Sequence, residues 1–201
     1  MARLPYVDDT GPDAKVKELL DWVTEVEGYV PNHFRLELHF PEHFKAWLSW
    51  VRILWREGEL SFQEVQQVGI AISESNDCAY CTGSFCSVLE HGGAVDRAAV
   101  EEYLARQVAT LDKRQRALVE FAVEANLRPH AITAEHIERL RRVGLGDRGI
   151  VQLVWLVNMF AASNRFNTVL ATDFDAQNEY QATASRLLGV YRTSGPDGSL
   201  G

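Results

Sequence analysis

From Asp13 to Leu188 the apolar residues recur three and four positions apart, and no bounded run alternates apolar with polar. That spacing constrains the fold most, because a side chain returns to the same face of an α-helix every 3.6 residues and of a strand every two. Asp13 is placed to cap a helix carrying Val16, Leu19, Leu20 and Val23, with Gly28 as its stop. Pro31 and Pro41 bracket a short segment, after which Phe44, Trp47, Leu48, Val51, Leu54 and Trp55 form a bulky stripe ending at Gly58. Ser61 and Glu64 have capping-box spacing, taken as a surface cap, and open a helix that runs to Ser75. Asn76-Asp77 breaks it, and Thr82 to Glu90 resumes as helix until Gly92-Gly93. A short helix from Asp96 turns Ala99, Tyr103 and Leu104 inward, and Leu118, Phe121, Ala122 and Ala125 mark another. Beyond Pro129, Thr133 caps a helix with Ile137, Leu140 and Val143, Asp147 starts a long apolar one, and Ala176 to Leu188 is the last. The expected fold class is all-α, with helices packed on helices around one core. Residues 1–192 are expected to form a single domain and the small, polar stretch 193–201 a mobile tail. The phrases Leu60-Ser61-Phe62-Gln63-Glu64-Val65 and Leu111-Asp112-Lys113-Arg114-Gln115-Arg116 open helices in the same style, which suggests two related halves sharing that core.

Charge and cysteine usage narrow the partners. The formal net charge of −8 is offset by basic residues only in short stretches such as Arg139, Arg141 and Arg142, which argues against nucleic acid. Three cysteines are too few and too clustered for a disulfide scaffold, and Met1-Ala2-Arg3-Leu4-Pro5 lacks the apolar core of a signal peptide. A cytoplasmic, reducing location is expected. The most apolar run, Ile150 to Ala162, is shorter than the roughly 20 residues a bilayer requires and contains Gln152 and Asn158, so it reads as a buried helix and no membrane partner is expected.

Cys78-Ala79-Tyr80-Cys81 carries the chemistry, since two thiols three positions apart can close a disulfide and support two-electron redox work. The pair falls at a helix start, where unpaired N–H groups and the positive end of the helix dipole favour a thiolate. Two buried cysteines retained for packing, or half of a zinc site, are the alternatives. Zinc lacks a second CxxC or a His pair on one face, because Pro41 separates His39 from His43. Cys86 lies about 140° around the helix from Cys81 and reads as a packing residue. Phe85, with Val88 and Leu89, forms an apolar patch that serves the core, plugs the site or lines a pocket for an organic hydroperoxide. Glu74 reads as a solvated carboxylate and His91 as part of a helix terminus, while His33, Trp47, Trp50 and Trp55 read as structural. Asn158, Asn164 and Arg165 are polar groups on an apolar helix and need partners, either a structural network or the mouth of the thiol site.

In the order Gly28-Tyr29-Val30-Pro31-Asn32, Leu60-Ser61, Ser75 to Cys81, Leu111 to Val123, and Asn158 with Asn164-Arg165, the chain resembles the alkylhydroperoxidase AhpD and carboxymuconolactone decarboxylase superfamily, in its uncharacterised peroxidase-related branch. The resemblance covers most of the chain and implies an AhpD-like helical bundle that forms homo-oligomers. It also implies that Cys81 attacks and Cys78 resolves. In family members with peroxidase activity, a glutamate on the preceding helix and a histidine four residues after the second cysteine relay a proton from the attacking thiol. Those positions are Gln66 and Phe85 here. Gln66 cannot accept a proton at neutral pH, and Phe85 can neither accept nor donate one. General-base assistance contributes about 10²–10⁴-fold, roughly 3 to 5 kcal/mol of barrier, so the departure matters.

Three functions are expected to compete. The first is a thiol-dependent peroxidase or disulfide reductase with no tightly bound cofactor, acting on a hydroperoxide or disulfide and restored by an external dithiol, either a protein or a small molecule. The second is a weakened family member serving as an oligomeric scaffold or redox-responsive binding protein, which Gln66 and Phe85 favour. The third, a decarboxylase of carboxymuconolactone type, makes no use of the CxxC pair.

Overall fold

A computed structural model describes residues 1–8, 13–93, 95–106 and 110–193. Among the described residues there are ten α-helices, a short 3₁₀ turn at Pro129–Ala131 and no strand. The tail expected to be mobile lies, from residue 194 onward, outside the described residues.

Helix α1 (Ala14–Glu27) starts where the Asp13 carboxylate accepts the Lys15 and Val16 amides, and it stops at Gly28, which takes the left-handed conformation (φ 81°) that glycine tolerates. The Pro-bracketed segment is itself helical, α2 (Asn32–Glu37), and α3 (Pro41–Arg56) buries Phe44, Leu48, Val51, Leu54 and Trp55 along one stripe. α3 ends two residues before Gly58, and the buried Gln152 secures the turn that follows: its Oε1 accepts the Glu59 and Leu60 amides, and its Nε2 donates to the Leu54 carbonyl.

α4 (Phe62–Ser75) is the centre of the molecule, packing against α5, α7 and α9. Its Val65, Val68, Ile70 and Ile72 are fully buried although they point in different directions around the helix. Ser61 and Glu64 form the expected capping box, but it is more than a surface cap. Glu64 is buried and pairs with the Arg114 guanidinium at 2.6 Å, which fixes the start of α4 to α7 (Lys113–Leu127). Asp112 and Gln115 close a matching capping box on α7, so the two similar phrases do open helices alike.

α5 (Ala79–His91) begins three residues earlier than the apolar pattern suggested and crosses α10 (Glu179–Thr193) closely; a Cβ on Gly83 would fall 2.3 Å from the Gln181 backbone nitrogen. α10 in turn starts three residues later than Ala176. In α6 (Arg97–Arg106) Tyr103 and Leu104 point inward as expected, but Ala99 is exposed and Val100 takes the inward place. The 3₁₀ turn (Pro129–Ala131) and α8 (Ala134–Arg142) lead to α9 (Asp147–Leu170). The apolar stretch of α9 is only half buried: Leu153, Leu156 and Phe160 enter the core while Val151, Val154 and Trp155 face outward. No helix among the described residues is long and apolar enough to cross a membrane.

Candidate functional site at the cysteine pair

The cysteine pair sits where α4 gives way to α5. Asn76 ends α4, Asp77 adopts a left-handed φ of 56°, and Cys78 is the N-cap of α5, its Sγ receiving the Cys81 amide at 3.3 Å. The break is held from outside the pair. Asn76 donates to Asn164 Oδ1 at 2.8 Å and accepts from Asn126 at 2.8 Å, and Asn164 donates to Ser73 Oγ at 3.0 Å. Asn164 is thus the structural network member anticipated for it. Asn158 and Arg165 are not: both are exposed, and Asn158 donates only back to the Val154 carbonyl of its own helix.

Cys78 and Cys81 form a close, disulfide-bonded pair with Cα atoms 5.3 Å apart, both buried. Cys86 is apart from them, fully buried in the main core, where burial pushes its thiol well above the usual range. Cys81 opens on a cavity of about 50 Å³, room for a few waters. Trp22, Trp47, Trp55, Phe34 and Phe85 give it aromatic walls, and Glu27, His33, Ser84 and Asn167 contribute polar groups. The Trp55 indole nitrogen and Glu27 Oε2 are buried without a partner among the described residues. Burial, with Asp175 nearby, holds the Glu27 carboxyl well above the ordinary carboxylate range. His33 and the tryptophans, expected to be structural, therefore line the space in front of the sulfur, with the exception of Trp50, which stacks edge-on against Trp155 on the outer side.

Phe85 occupies an apolar side of this site, while Gln66 does not line the cavity. Phe85 packs edge-on against Phe160 at 4.7 Å between ring centroids, and more loosely against Trp55. It both serves the core and lines the cavity. Gln66 is fully buried, with neither amide atom partnered among the described residues. Glu74 is half-buried rather than solvated, and its charge acts on Cys86 and Tyr103. His91 is exposed at the end of α5.

The polar side comes from two helices remote in sequence. Asn167 on α9 donates from Nδ2 to Cys81 Sγ at 3.4 Å and to the Ser163 carbonyl at 3.1 Å. Its Oδ1 meets His33 Nδ1 at 3.1 Å and accepts from the Thr172 hydroxyl at 2.8 Å. His33 on α2 is further fixed by Glu37, whose Oε1 lies 3.3 Å from Nε2, and by its own amide, which donates to the Tyr80 hydroxyl at 3.0 Å. Sequence reasoning missed Asn167 and Glu37 altogether. The available signals were the spacing of Asn167 three residues after Asn164, which puts both on one face of α9, and the i, i+4 spacing of His33 and Glu37. Among the described residues no three His, Cys, Asp or Glu side chains converge as a metal site.

A buried cysteine pair at a helix start thus opens on an aromatic cavity inside an all-α bundle. No family model and no curated protein matches the chain. Solved structures do. An uncharacterised peroxidase-related protein from Silicibacter sp. TM1040 is 26% identical over 88% of this chain and 93% of its own, with a TM-score of 0.75. The alkylhydroperoxidase AhpD core of a peroxidase-related protein from Ralstonia eutropha JMP134 is 23% identical over 92% and 96%, with a TM-score of 0.77. The debrominase Bmp8, in complex with 2,3,4-tribromopyrrole, is 14% identical over 94% and 100%, also with a TM-score of 0.77. In its fold the chain is similar to AhpD-like peroxidase-related proteins.

Proposed function

We propose that the protein is a thiol-dependent reductase of hydroperoxides or disulfides, with Cys81 as attacking thiol and Cys78 as its resolving partner. The observation that carries this reading is that Cys81 lines the cavity while Cys78, within bonding reach behind it, does not. The Cys81 thiolate attacks the O–O bond, the alcohol or water departs as the far oxygen takes up a proton, and a sulfenic acid remains. The Cys78 thiol condenses with it, releasing water and forming the disulfide. An external dithiol, such as a cytoplasmic reductant protein, then exchanges with the pair and leaves oxidised, needing no tightly bound cofactor. The aromatic walls favour an organic hydroperoxide over hydrogen peroxide. Because a fold neighbour is a debrominase solved in complex with 2,3,4-tribromopyrrole, that compound belongs in the substrate panel. The scaffold reading keeps its support in the unpartnered Gln66 and the apolar Phe85.

We further propose a homo-oligomer, for which the outward Val151, Val154 and Trp155 of α9 supply apolar area. The test of function is consumption of cumene hydroperoxide, hydrogen peroxide and 2,3,4-tribromopyrrole under dithiothreitol by the wild type, Cys81→Ser and Phe85→His. Turnover that vanishes in Cys81→Ser supports the thiol reductase. An inert wild type with an active Phe85→His variant replaces that reading with the scaffold.

A further inference from the structure

The groups around the Asn167 amide fix which way it faces. The Ser163 carbonyl can only accept, so Nδ2 must point toward it, and the same nitrogen reaches Cys81 Sγ. Oδ1 therefore faces the other way, toward the Thr172 hydroxyl and His33 Nδ1. An amide oxygen can only accept, so His33 carries its proton on Nδ1 and presents a bare Nε2 to Glu37. Burial lowers the His33 pKa to about 4 and raises the Glu37 carboxyl to about 8, so near neutrality the histidine is uncharged and the glutamic acid keeps the proton it offers to Nε2. Every donor in the chain from Glu37 through His33 and Asn167 then points toward the sulfur. Two donors entering Oδ1 polarise the amide and strengthen the bond its N–H makes.

The other polar groups nearby leave this arrangement intact. Tyr80 meets the His33 backbone rather than its ring, His43 lies 4.0 Å from the far oxygen of Glu37, and Asp175 is engaged by the Asn32 amide and by Gln181. Glu27 lines the cavity with its Oε2 unpartnered, and no arginine or lysine lines it, among the described residues.

We infer that Asn167, oriented by His33 and Thr172, is the donor that stabilises the Cys81 thiolate, in place of the relay the sequence lacks at Gln66 and Phe85. With the sulfurs joined the amide faces a neutral atom. On reduction the same N–H meets a negative sulfur, and a bond to the charged form is about twice as strong. The reduced state thus gains selectively, which lowers the thiol pKa and makes the disulfide a stronger oxidant. Asn167 touches the reacting atom and is the catalytic residue; His33 acts through it and is a positioning residue.

The inference rests on Cys81 working as a thiolate, and its test is independent of turnover. In a Cys78→Ser background, the Cys81 thiol pKa is read from the pH dependence of iodoacetamide alkylation, resolved by peptide mass so that Cys86 does not contribute. Asn167→Leu keeps the volume and removes the donor; it is expected to raise the Cys81 pKa by about one unit, slowing alkylation at pH 7 about tenfold. His33→Leu is expected to shift it in the same direction by a smaller amount, and His33→Asn, whose amide nitrogen sits where Nδ1 does, to restore the wild-type value. Thr172→Val gives a further reading at lower cost to folding, again upward. A Cys81 pKa that is the same in the Thr172→Val, His33→Leu and Asn167→Leu proteins overturns the inference, even if the wild type turns over peroxide. The expected shifts in a protein that reduces no hydroperoxide would instead retain the inference and remove the peroxidase reading.

Discussion

The two flanks of the cysteine pair differ in kind. On the α5 flank stands Phe85, locked against Phe160, while Gln66 of α4 is buried and finds no partner among the described residues. On the flank formed by α2 and α9, Asn167, His33, Glu37 and Thr172 are joined by hydrogen bonds that end at the sulfur. A buried polar network costs little when its members are satisfied and much when they are not. The flank of Asn167, His33 and Thr172 is therefore the one whose polar groups the fold has organised, with Glu37 Oε2 left without a partner among the described residues, and the other is a packing surface.

The largest effect tests whether the pair that both flanks surround is reactive at all. Cys81→Ser is expected to abolish turnover, because a serine hydroxyl supplies no thiolate, while Cys86→Ser leaves it essentially unchanged, since Cys86 is buried away from the cavity. Steady-state assays under a common dithiol decide it; equal losses in both variants would dissolve the distinction between the cysteines.

The next effect concerns the polar flank and pH. Burial holds the folded Glu37 carboxyl at about 8 against an ordinary 4.5, so the folded chain keeps a proton that the unfolded chain releases. That contribution to stability is complete below about pH 4.5 and is lost as pH rises through 8. His33, lowered from 6.5 to about 4, contributes stability above 6.5 that is lost as pH falls through 4. Glu37→Gln cannot ionise and should be more stable than the wild type at pH 9 relative to pH 6, by up to a few kcal/mol. Urea melts at the two pH values measure the difference, and a wild type and variant that fall in parallel would remove Glu37 from the account.

A smaller effect is expected at the break that presents the pair. Asn164→Ala strips the Asn76 amide and the Ser73 hydroxyl of a buried partner and should cost about 1–3 kcal/mol. Turnover per folded molecule should fall less than in Asn167→Leu, since Asn164 holds backbone and does not touch sulfur. A chemical denaturation series checks the first part and an activity titration the second.

How much of this was legible in the sequence depended on range. The helices were, because caps and apolar periods are local: Asp13, Ser61 with Glu64, and Asp112 with Gln115 all begin helices where the side chains predict. The placement of Cys78 and Cys81 at a helix start was legible for the same reason. What covers a helix is not local. The residues Ile150 to Ala162 read as buried because they are apolar on every side, yet half of that surface faces outward in the chain alone. Asn158, Asn164 and Arg165 stood out as polar interruptions, but the functional amide was Asn167, one turn beyond Ser163, and its relevance came only from the approach of α2. His33 and Glu37 sit about 130 residues away from it in sequence, a pairing that only the fold creates. Spacing rules carried over from relatives pointed to Gln66 and Phe85, two positions that carry no charge in this chain.

Gln66 offers the smallest and most discriminating test of the contrast. A fully buried amide with no partner for either atom among the described residues carries a desolvation cost of about 1–3 kcal/mol that a methionine of similar length would not. Methionine also adapts its shape, so the packing of α4 against its neighbours should survive the exchange. Gln66→Met is therefore expected to raise stability by about 1 kcal/mol and to leave both turnover and the Cys81 thiol pKa where they are. Thermal melts and the alkylation profile are the measurements. A variant that loses activity at unchanged stability would show that the amide acts on the thiol after all, and the division into a working flank and a packing flank would fail.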